Sequence, residues 1–341
     1  MSMPIASGPI RAVLYGFGRV NQSVWRLAAT RPWLRVDGLI STHDLDADPA
    51  GGVPLPVTSD ARALLRSTRP DVVIVATRSR LPDVLPQLRL AFEARPRAIL
   101  CTAEELAWVE TGPDRAELES LAAATGTALV ATGVNPGFVL DLWPLVASGL
   151  AWDVASIHAH RISDVAAFAP ATRLRLGLDH TPESFAAGVR DGSVVGHLGF
   201  PESLRILAAR MGRAIDEVRM RTDPVIADRR YALPDGVIEA GRTIGASQRA
   251  EAWVDGAPLI TVELMVHGAP REAGVPPVDE IAIEGDHAIH VRVDPGCAGV
   301  RGTAALLVNG IPRALEAPAG LHAPGDLPPV APWLGAELPG R

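Results

Sequence analysis

Two adjacent carboxylates, Glu104 and Glu105, follow Ala98–Cys101, an apolar stretch whose composition predicts a buried strand. A carboxylate at a strand end can bind a cationic nitrogen by a charge-assisted hydrogen bond. It can also carry protons during addition and elimination at a carbonyl. Thr102 stands three residues before Glu105, the spacing of a capping box. That spacing predicts a backbone role for Glu105 and turns Glu104 toward the chemistry. A second cluster lies near the start of the chain. Tyr15-Gly16-Phe17-Gly18-Arg19-Val20-Asn21 reads G-x-G-x-x-N, between a predicted strand Arg11–Tyr15 and a predicted helix Arg19–Ala29. In a dinucleotide site the first glycine makes the tight turn and the second lets the backbone approach pyrophosphate. The third only eases helix packing, so Asn21 in its place is tolerable. This predicts cofactor binding by Gly16, Phe17, Gly18, Arg19, Val20 and Asn21.

The second predicted strand, Leu34–Ile40, runs into Ser41-Thr42-His43, without the carboxylate that would bond a ribose 2′-hydroxyl. Hydroxyls with Arg19 nearby suit a 2′-phosphate, which favours NADP(H). NAD(H) is the alternative, should Asp44 or Asp46 reach the ribose. Thr77, Arg78 and Ser79 follow the β-branched run Asp71–Ala76 and would flank the adenosine and pyrophosphate; Arg78 reads equally as a solvated surface group. Asn135 follows another predicted strand, Ala128–Ala131, and reads either as a nicotinamide contact or as an Asn-Pro turn. Phe138, Arg161 and His197 are candidates for a substrate pocket. His158 and His160 alternate like metal ligands, but no third ligand stands at a convincing spacing, so no metal is expected.

These residues need a scaffold, and the first 135 residues supply the pattern of one. Short apolar strands alternate with the helical stretches Leu81–Ala94 and Asp114–Thr125, which predicts a Rossmann-type, doubly wound parallel sheet in an α/β protein. Residues 136–301 read as an α+β domain with a mostly antiparallel sheet. Helices are predicted at Phe138–Gly149 and Pro201–Met211. Strands are predicted at Ala155–Ile162, Val237–Ser247, Arg249–Val254, Leu259–Val266 and Ala288–Val293, with a hairpin turn at Asp255-Gly256. Residues 302–341 read as a buried helix, Gly302–Glu316, kinked or ended early by Pro312, and a surface tail. Together they pack back on the Rossmann domain. The sheet of the second domain, apolar on one face, predicts a homodimer in which a second copy covers that face.

Composition narrows the chemistry. The 341 residues are 48% hydrophobic, 21% charged and 4% aromatic, with a net charge of −7. All 32 basic residues other than histidine are arginines. Without lysine there is no Schiff-base lysine, no lysine general base and no P-loop. An acidic chain is a poor partner for nucleic acid. Two cysteines, Cys101 and Cys297, form no C-x-x-C motif or disulfide framework. No apolar run is long enough to span a bilayer and no signal segment opens the sequence, which predicts a cytoplasmic protein without membrane partners.

Four pieces of sequence carry a family resemblance: Thr102-Ala103-Glu104-Glu105-Leu106, Gly133-Val134-Asn135-Pro136-Gly137-Phe138, Gly196-His197-Leu198-Gly199-Phe200-Pro201-Glu202-Ser203, and Leu306-Leu307-Val308-Asn309-Gly310-Ile311-Pro312. From about Gly16 to Pro329 the chain resembles 2,4-diaminopentanoate dehydrogenases and the related NAD(P)-dependent native amine dehydrogenases. The resemblance implies a Rossmann domain, a substrate and dimerisation domain, and a glutamate near the substrate nitrogen, which maps to Glu104 or Glu105. Dihydrodipicolinate reductases and sugar oxidoreductases of similar fold use lysine-containing loops that this chain cannot form. The implied reaction is reductive amination of small ketones or aldehydes with ammonia, and its reverse. The alternatives are an amino-acid or diamino-acid dehydrogenase, for which Arg161 and Arg173 are the candidate carboxylate clamps, and a non-catalytic dinucleotide sensor.

Overall fold

The computed structural model describes residues 8–42 and 55–337. They divide into two units, one running to Phe138 and resuming at Ala298, the other spanning Val139–Cys297. In chain order the first unit holds β1 (Ile10–Tyr15), α1 (Arg19–Ala28), β2 (Leu34–Ile40), β3 (Val57–Thr58), α2 (Ala61–Thr68) and β4 (Val72–Val75). It continues with α3 (Leu81–Glu93), β5 (Ala98–Cys101), a 3-10 turn at Glu104–Ala107, α4 (Pro113–Thr125) and β6 (Ala128–Ala131). The second unit comprises α5 (Leu142–Ser148), β7 (Val154–Asp164), α6 (Pro170–Arg175), α7 (Pro182–Asp191), α8 (Phe200–Arg210) and β8 (Glu217–Ile226). After these come β9 (Tyr231–Leu233), β10 (Gly236–Ile238), β11 (Thr243–Val254), β12 (Ala257–His267), β13 (Val278–Gly285) and β14 (Ile289–Val293). The chain then returns to the first unit as α9 (Gly299–Glu316) and β15 (Gly320–His322).

The first unit is a seven-stranded sheet in the order β15-β6-β5-β4-β1-β2-β3, and every pairing in it is parallel. Every residue of β4, β5 and β6 is buried, as expected for strands covered on both faces, and this explains why their sequences run apolar without alternation. One core packs Ile10, Leu14, Val24, Val72, Leu100 and Val130 against Ala304, Leu307, Val308, Ile311 and Leu315 of α9. The expected break at Pro312 does not occur: α9 runs through it to Glu316. Burial of Val308, Ile311, Ala314 and Leu315 around the proline offsets the missing N–H bond. Nor is the segment after Ala317 only a surface tail. Residues 320–322 pair with β6 as a seventh strand, and the Trp33 indole donates to the Trp333 carbonyl at 3.3 Å.

The sheet of the second unit runs β14-β13-β7-β12-β11-β8, antiparallel except between β7 and β12. Asp255 and Gly256 both have positive φ (52° and 79°), making the type I′ turn their sequence predicts between β11 and β12. Several predicted boundaries move. The stretch read as two strands, Val237–Ser247 and Arg249–Val254, holds the end of β10, which pairs with the preceding β9, then a break at 239–242 and one continuous twelve-residue β11. The helix expected from Phe138 begins at Leu142. Residues 133–137 are held in a turn in which a Cβ on Gly137 (φ +135°) would lie 2.3 Å from the Gly133 carbonyl.

One face of this sheet is apolar, with Ile157, Ala159, Ala250, Ala252, Ile260, Val262, Ile281 and Ile283 all at most 1% exposed. Helices α5 and α8 of the same chain pack against these strands. A second copy is therefore not needed to bury it, which removes the physical reason given for a homodimer. The opposite face carries His158, His160, Glu263, Arg249 and Glu251, linked in plane. His158 lies 3.5 Å from Glu263, and Arg249 lies 2.8 Å from Glu251 and 3.7 Å from Glu263. Hydrogen bonding by His158, with help from His160 and Ser247, holds the Glu263 carboxyl down at about 2, while burial lowers His160.

Candidate active site

In the parallel sheet the strand ends lie side by side. Gly16 N–H donates to the Ile40 carbonyl, Ala76 N–H to Tyr15, Thr102 N–H to Val75 and Thr132 N–H to Cys101. The segments that follow β1, β2, β4, β5 and β6 therefore share one edge, and strand order reverses beside β1, where an open α/β sheet forms its crevice. This edge gathers Gly16–Asn21, Ser41, Thr77–Ser79, Glu104 and Asn135. Arg161 and His197 lie in the second unit. His43 lies outside the described residues, as do Asp44 and Asp46.

The glycine turn is built in two different ways. Gly16 has φ +85°, and a Cβ there would lie 2.5 Å from the Thr77 methyl, so both conformation and space require glycine. Gly18 has ordinary φ, and a Cβ would meet no protein atom within 4 Å. Its constraint is not the chain's own packing; an open cradle at the uncapped N-terminus of α1 fits a dinucleotide pyrophosphate. Asn21 does not belong to the binding surface. It is fully buried, and its amide donates to the carbonyls of Tyr15 (3.0 Å) and Gly16 (2.7 Å), clamping the turn from below. The G-x-G-x-x-N spacing predicts a tolerated stand-in for glycine at this position, whereas the Asn21 side chain shapes the loop. Phe17 and Val20 are half-buried and pack against the core. Arg19 and Arg78 are exposed, Ser41 is half-buried and Thr42 is exposed. The Thr77 hydroxyl donates to Gln87 of α3 at 2.6 Å.

At the end of β5 the two glutamates separate. The capping box with Thr102 does not form, because the 3-10 turn begins after Ala103 and has no side-chain cap. Glu105 is structural for another reason: its Oε2 accepts from Leu81 N–H at 2.8 Å and so caps α3, whose own N-cap, Arg80, supplies none. Glu104 is half-buried between buried Ala103 and Leu106, and its Oε1 accepts from the Ser79 hydroxyl at 2.8 Å. Cys101, directly below, is fully buried, which pushes its thiol up to about 12 and leaves it inert as a nucleophile.

Two residues expected to hold a substrate are occupied. Arg161 is 5% exposed. Its Nε donates to Ser163 at 3.0 Å, Nη1 lies 3.4 Å from Asp279, and Nη2 donates to the Cys297 carbonyl. Asp279, 1% exposed, in turn accepts from Cys297 N–H at 2.6 Å. The set is a buried structural ion pair, so Arg161 is not a pocket residue; a β-strand arginine facing the covered side can only pair. Arg173 likewise donates to the carbonyls of Ala166 and Phe168 and to Asp235. His197 is half-buried and edge-on to Phe200, with ring centroids 5.0 Å apart. Its backbone is stapled to Gln248, which accepts from His197 N–H and donates to its carbonyl. Phe138 is half-buried. Among the described residues no group of three His, Cys, Asp or Glu could hold a metal ion, and no helix is long and apolar enough to cross a membrane.

Comparison with known proteins bears on the family and the fold. Residues 138–337 match the family described as the 2,4-diaminopentanoate dehydrogenase C-terminal domain. Over 330 residues, 94% of this chain and 93% of the relative, the sequence is 26% identical to the 2,4-diaminopentanoate dehydrogenase of Acetoanaerobium sticklandii. It is also 26% identical to an amine dehydrogenase of Streptomyces virginiae, covering 96% of this chain and 98% of that one. The solved amine dehydrogenase of Mycobacterium smegmatis shares the fold, with a TM-score of 0.83 and 23% identity over 97% and 99% of the two chains. Sheet edge, glycine turn and relatives together define an NAD(P)-dependent oxidoreductase acting on amines. Within that class, the chain belongs to the 2,4-diaminopentanoate dehydrogenase family.

Proposed function

We propose that the enzyme interconverts small ketones or aldehydes and primary amines, using ammonia and NADP(H), with Glu104 binding the substrate nitrogen. The observation that carries this reading is the Glu104 carboxylate, positioned after β5 on the edge where the glycine turn also ends, and oriented by Ser79. The Gly16–Val20 backbone would hold the pyrophosphate. Ser41, Thr42 and Arg19 would meet a 2′-phosphate, and Asn135 would meet the nicotinamide end. The cofactor, when bound, supplies or receives hydride.

Glu104 takes a proton from the incoming ammonium; the freed ammonia adds to the carbonyl carbon as one of its protons passes to the carbonyl oxygen, and Glu104 returns its proton to the hydroxyl so formed as water leaves. The resulting cationic C=N group then lies against the carboxylate, which stabilises its charge. In the reverse direction the same carboxylate accepts the proton lost from the amine.

A diamino-acid or amino-acid substrate is the second reading, favoured by the relative named 2,4-diaminopentanoate dehydrogenase. It loses its proposed clamps, since Arg161 and Arg173 are both consumed by carboxylates and carbonyls. NADPH oxidation with a panel of acetone, butanal and cyclohexanone should therefore require ammonium and be faster than with NADH. Amines should be deaminated in preference to the corresponding amino acids. Turnover confined to amino acids, or dependent on NADH alone, overturns the corresponding part of the reading.

A homodimer built on the polar, in-plane-paired face of the second unit's sheet accompanies this proposal. Six strands about 4.8 Å apart and up to twelve residues long present on the order of 900 Å² per copy, enough for a standard interface. Light scattering should give twice the 35.9 kDa chain mass, and a monomer at micromolar concentration rejects it.

A further inference from the structure

Ser79 and the two glutamates form a closed set of three hydrogen bonds between the ends of neighbouring strands. The Ser79 hydroxyl donates to Glu104 Oε1 at 2.8 Å, Glu105 N–H donates to the Ser79 carbonyl at 3.1 Å, and Leu81 N–H donates to Glu105 Oε2 at 2.8 Å. The set is anchored at both ends, because Leu81 is the first residue of α3 and is 7% exposed, while Ala103 and Leu106 flank Glu104 at 3% and 4%. The backbone on either side of Glu104 is thereby fixed, and what remains is the rotation of its side chain. The Ser79 hydroxyl, next to a carbonyl that Glu105 N–H holds, bonds that side chain directly and so helps to set the rotation. Thr77, two residues earlier, spends its hydroxyl on Gln87 and takes no part.

We propose that Ser79 is a positioning residue for Glu104 rather than a contact for the cofactor, and that Glu105 is the brace that keeps Ser79 in place. This rests on the assignment of Glu104 as the nitrogen-binding carboxylate. A hydroxyl donor on a carboxylate oxygen does two things for that role. It selects one rotamer, so the carboxylate meets the substrate nitrogen without first being ordered. It also favours the ionised form, the one able to accept the proton. The pairing of adjacent glutamates follows from this division of labour: one carboxylate faces the reaction while its neighbour holds the first residue of the helix that follows the orienting serine. Neither role is visible in the spacing of the sequence, since Ser79 and Glu104 are 25 residues apart.

The test uses the full-length protein with Ser79→Ala, Ser79→Thr and Glu104→Gln. With whichever carbonyl of the panel is turned over best, Ser79→Ala should lower kcat about tenfold. The KM and Kd for NADPH should stay within about twofold, and Ser79→Thr should recover most of the loss. In the Glu104→Gln background, Ser79→Ala should have no further effect. A readout independent of turnover is the 13C carboxyl titration of Glu104 in the free protein, its signal identified by loss in Glu104→Gln. The midpoint should move upward in Ser79→Ala and return in Ser79→Thr.

Weakened NADPH binding with kcat retained would make Ser79 a cofactor contact and overturn the proposal. An unshifted Glu104 midpoint with full activity would do the same. Full activity in Glu104→Gln would instead reject the assignment of Glu104 itself.

Discussion

Replacing Glu104 by glutamine is expected to lower kcat for reductive amination by about a thousandfold while leaving NADPH affinity within about twofold. Glutamine keeps the size of the side chain and can still accept the Ser79 hydroxyl, so packing at the strand end is undisturbed. What it loses is the charge that holds a cationic nitrogen and the capacity to move its protons. The effect should fall on kcat and on kcat/KM together, since the interaction grows as charge develops on nitrogen. Glu105→Gln gives the contrast: it weakens the cap on α3 and should cost about 1 kcal/mol of stability with much smaller loss of turnover. Steady-state kinetics beside fluorescence titration with NADPH separates the two. A fully active Glu104→Gln enzyme would move the proton chemistry elsewhere.

The largest expected effect on stability belongs to Arg161. Arg161→Met removes the cation from a pair whose carboxylate, Asp279, is 1% exposed, and leaves that charge buried. Loss of one partner of such a pair costs about 3–5 kcal/mol, even though the intact pair is itself worth little against an apolar replacement. Urea unfolding should therefore show a sharply lower midpoint, while the folded fraction keeps its KM for carbonyl and ammonium. The double replacement Arg161→Met with Asp279→Leu should recover much of the loss. A variant of normal stability with a raised KM would return Arg161 to the substrate pocket.

The parallel sheet was readable from the sequence because its strands are buried on both faces, which leaves unbroken apolar runs such as Val72–Val75. The glycine turn was readable because its geometry is local. Strand β8 was not: Glu217–Ile226 is a mostly exposed edge strand, interrupted by Glu217, Arg219, Arg221 and Asp223, and carries no apolar run. The partners of Asn21, Glu105 and Arg161 were also hidden, and for one reason. Each residue is held by a partner atom on another element or by a backbone carbonyl: Tyr15 and Gly16 for Asn21, Leu81 for Glu105, Asp279 and Cys297 for Arg161. Sequence identifies a polar residue near a strand end; only the fold says whether it faces a ligand or its own chain. The zero-lysine composition, by contrast, acted without any fold, since it removed the classes of chemistry that need a lysine.

The return of the chain to its first unit has a consequence for synthesis. The core beneath β1, β2, β4, β5 and β6 takes one of its walls from Ala304, Leu307, Val308, Ile311 and Leu315, and β15 closes the edge beside β6. A nascent chain therefore leaves the ribosome with that apolar face bare, and it stays bare until residues 139–297 have been translated and α9 follows. Vectorial folding can complete the inserted unit first and the nucleotide unit only last. Any cellular factor that shields hydrophobic surface would have its longest engagement with the earliest-made residues. A message truncated before codon 299 would yield a substrate for proteolysis, not a free-standing dinucleotide-binding module.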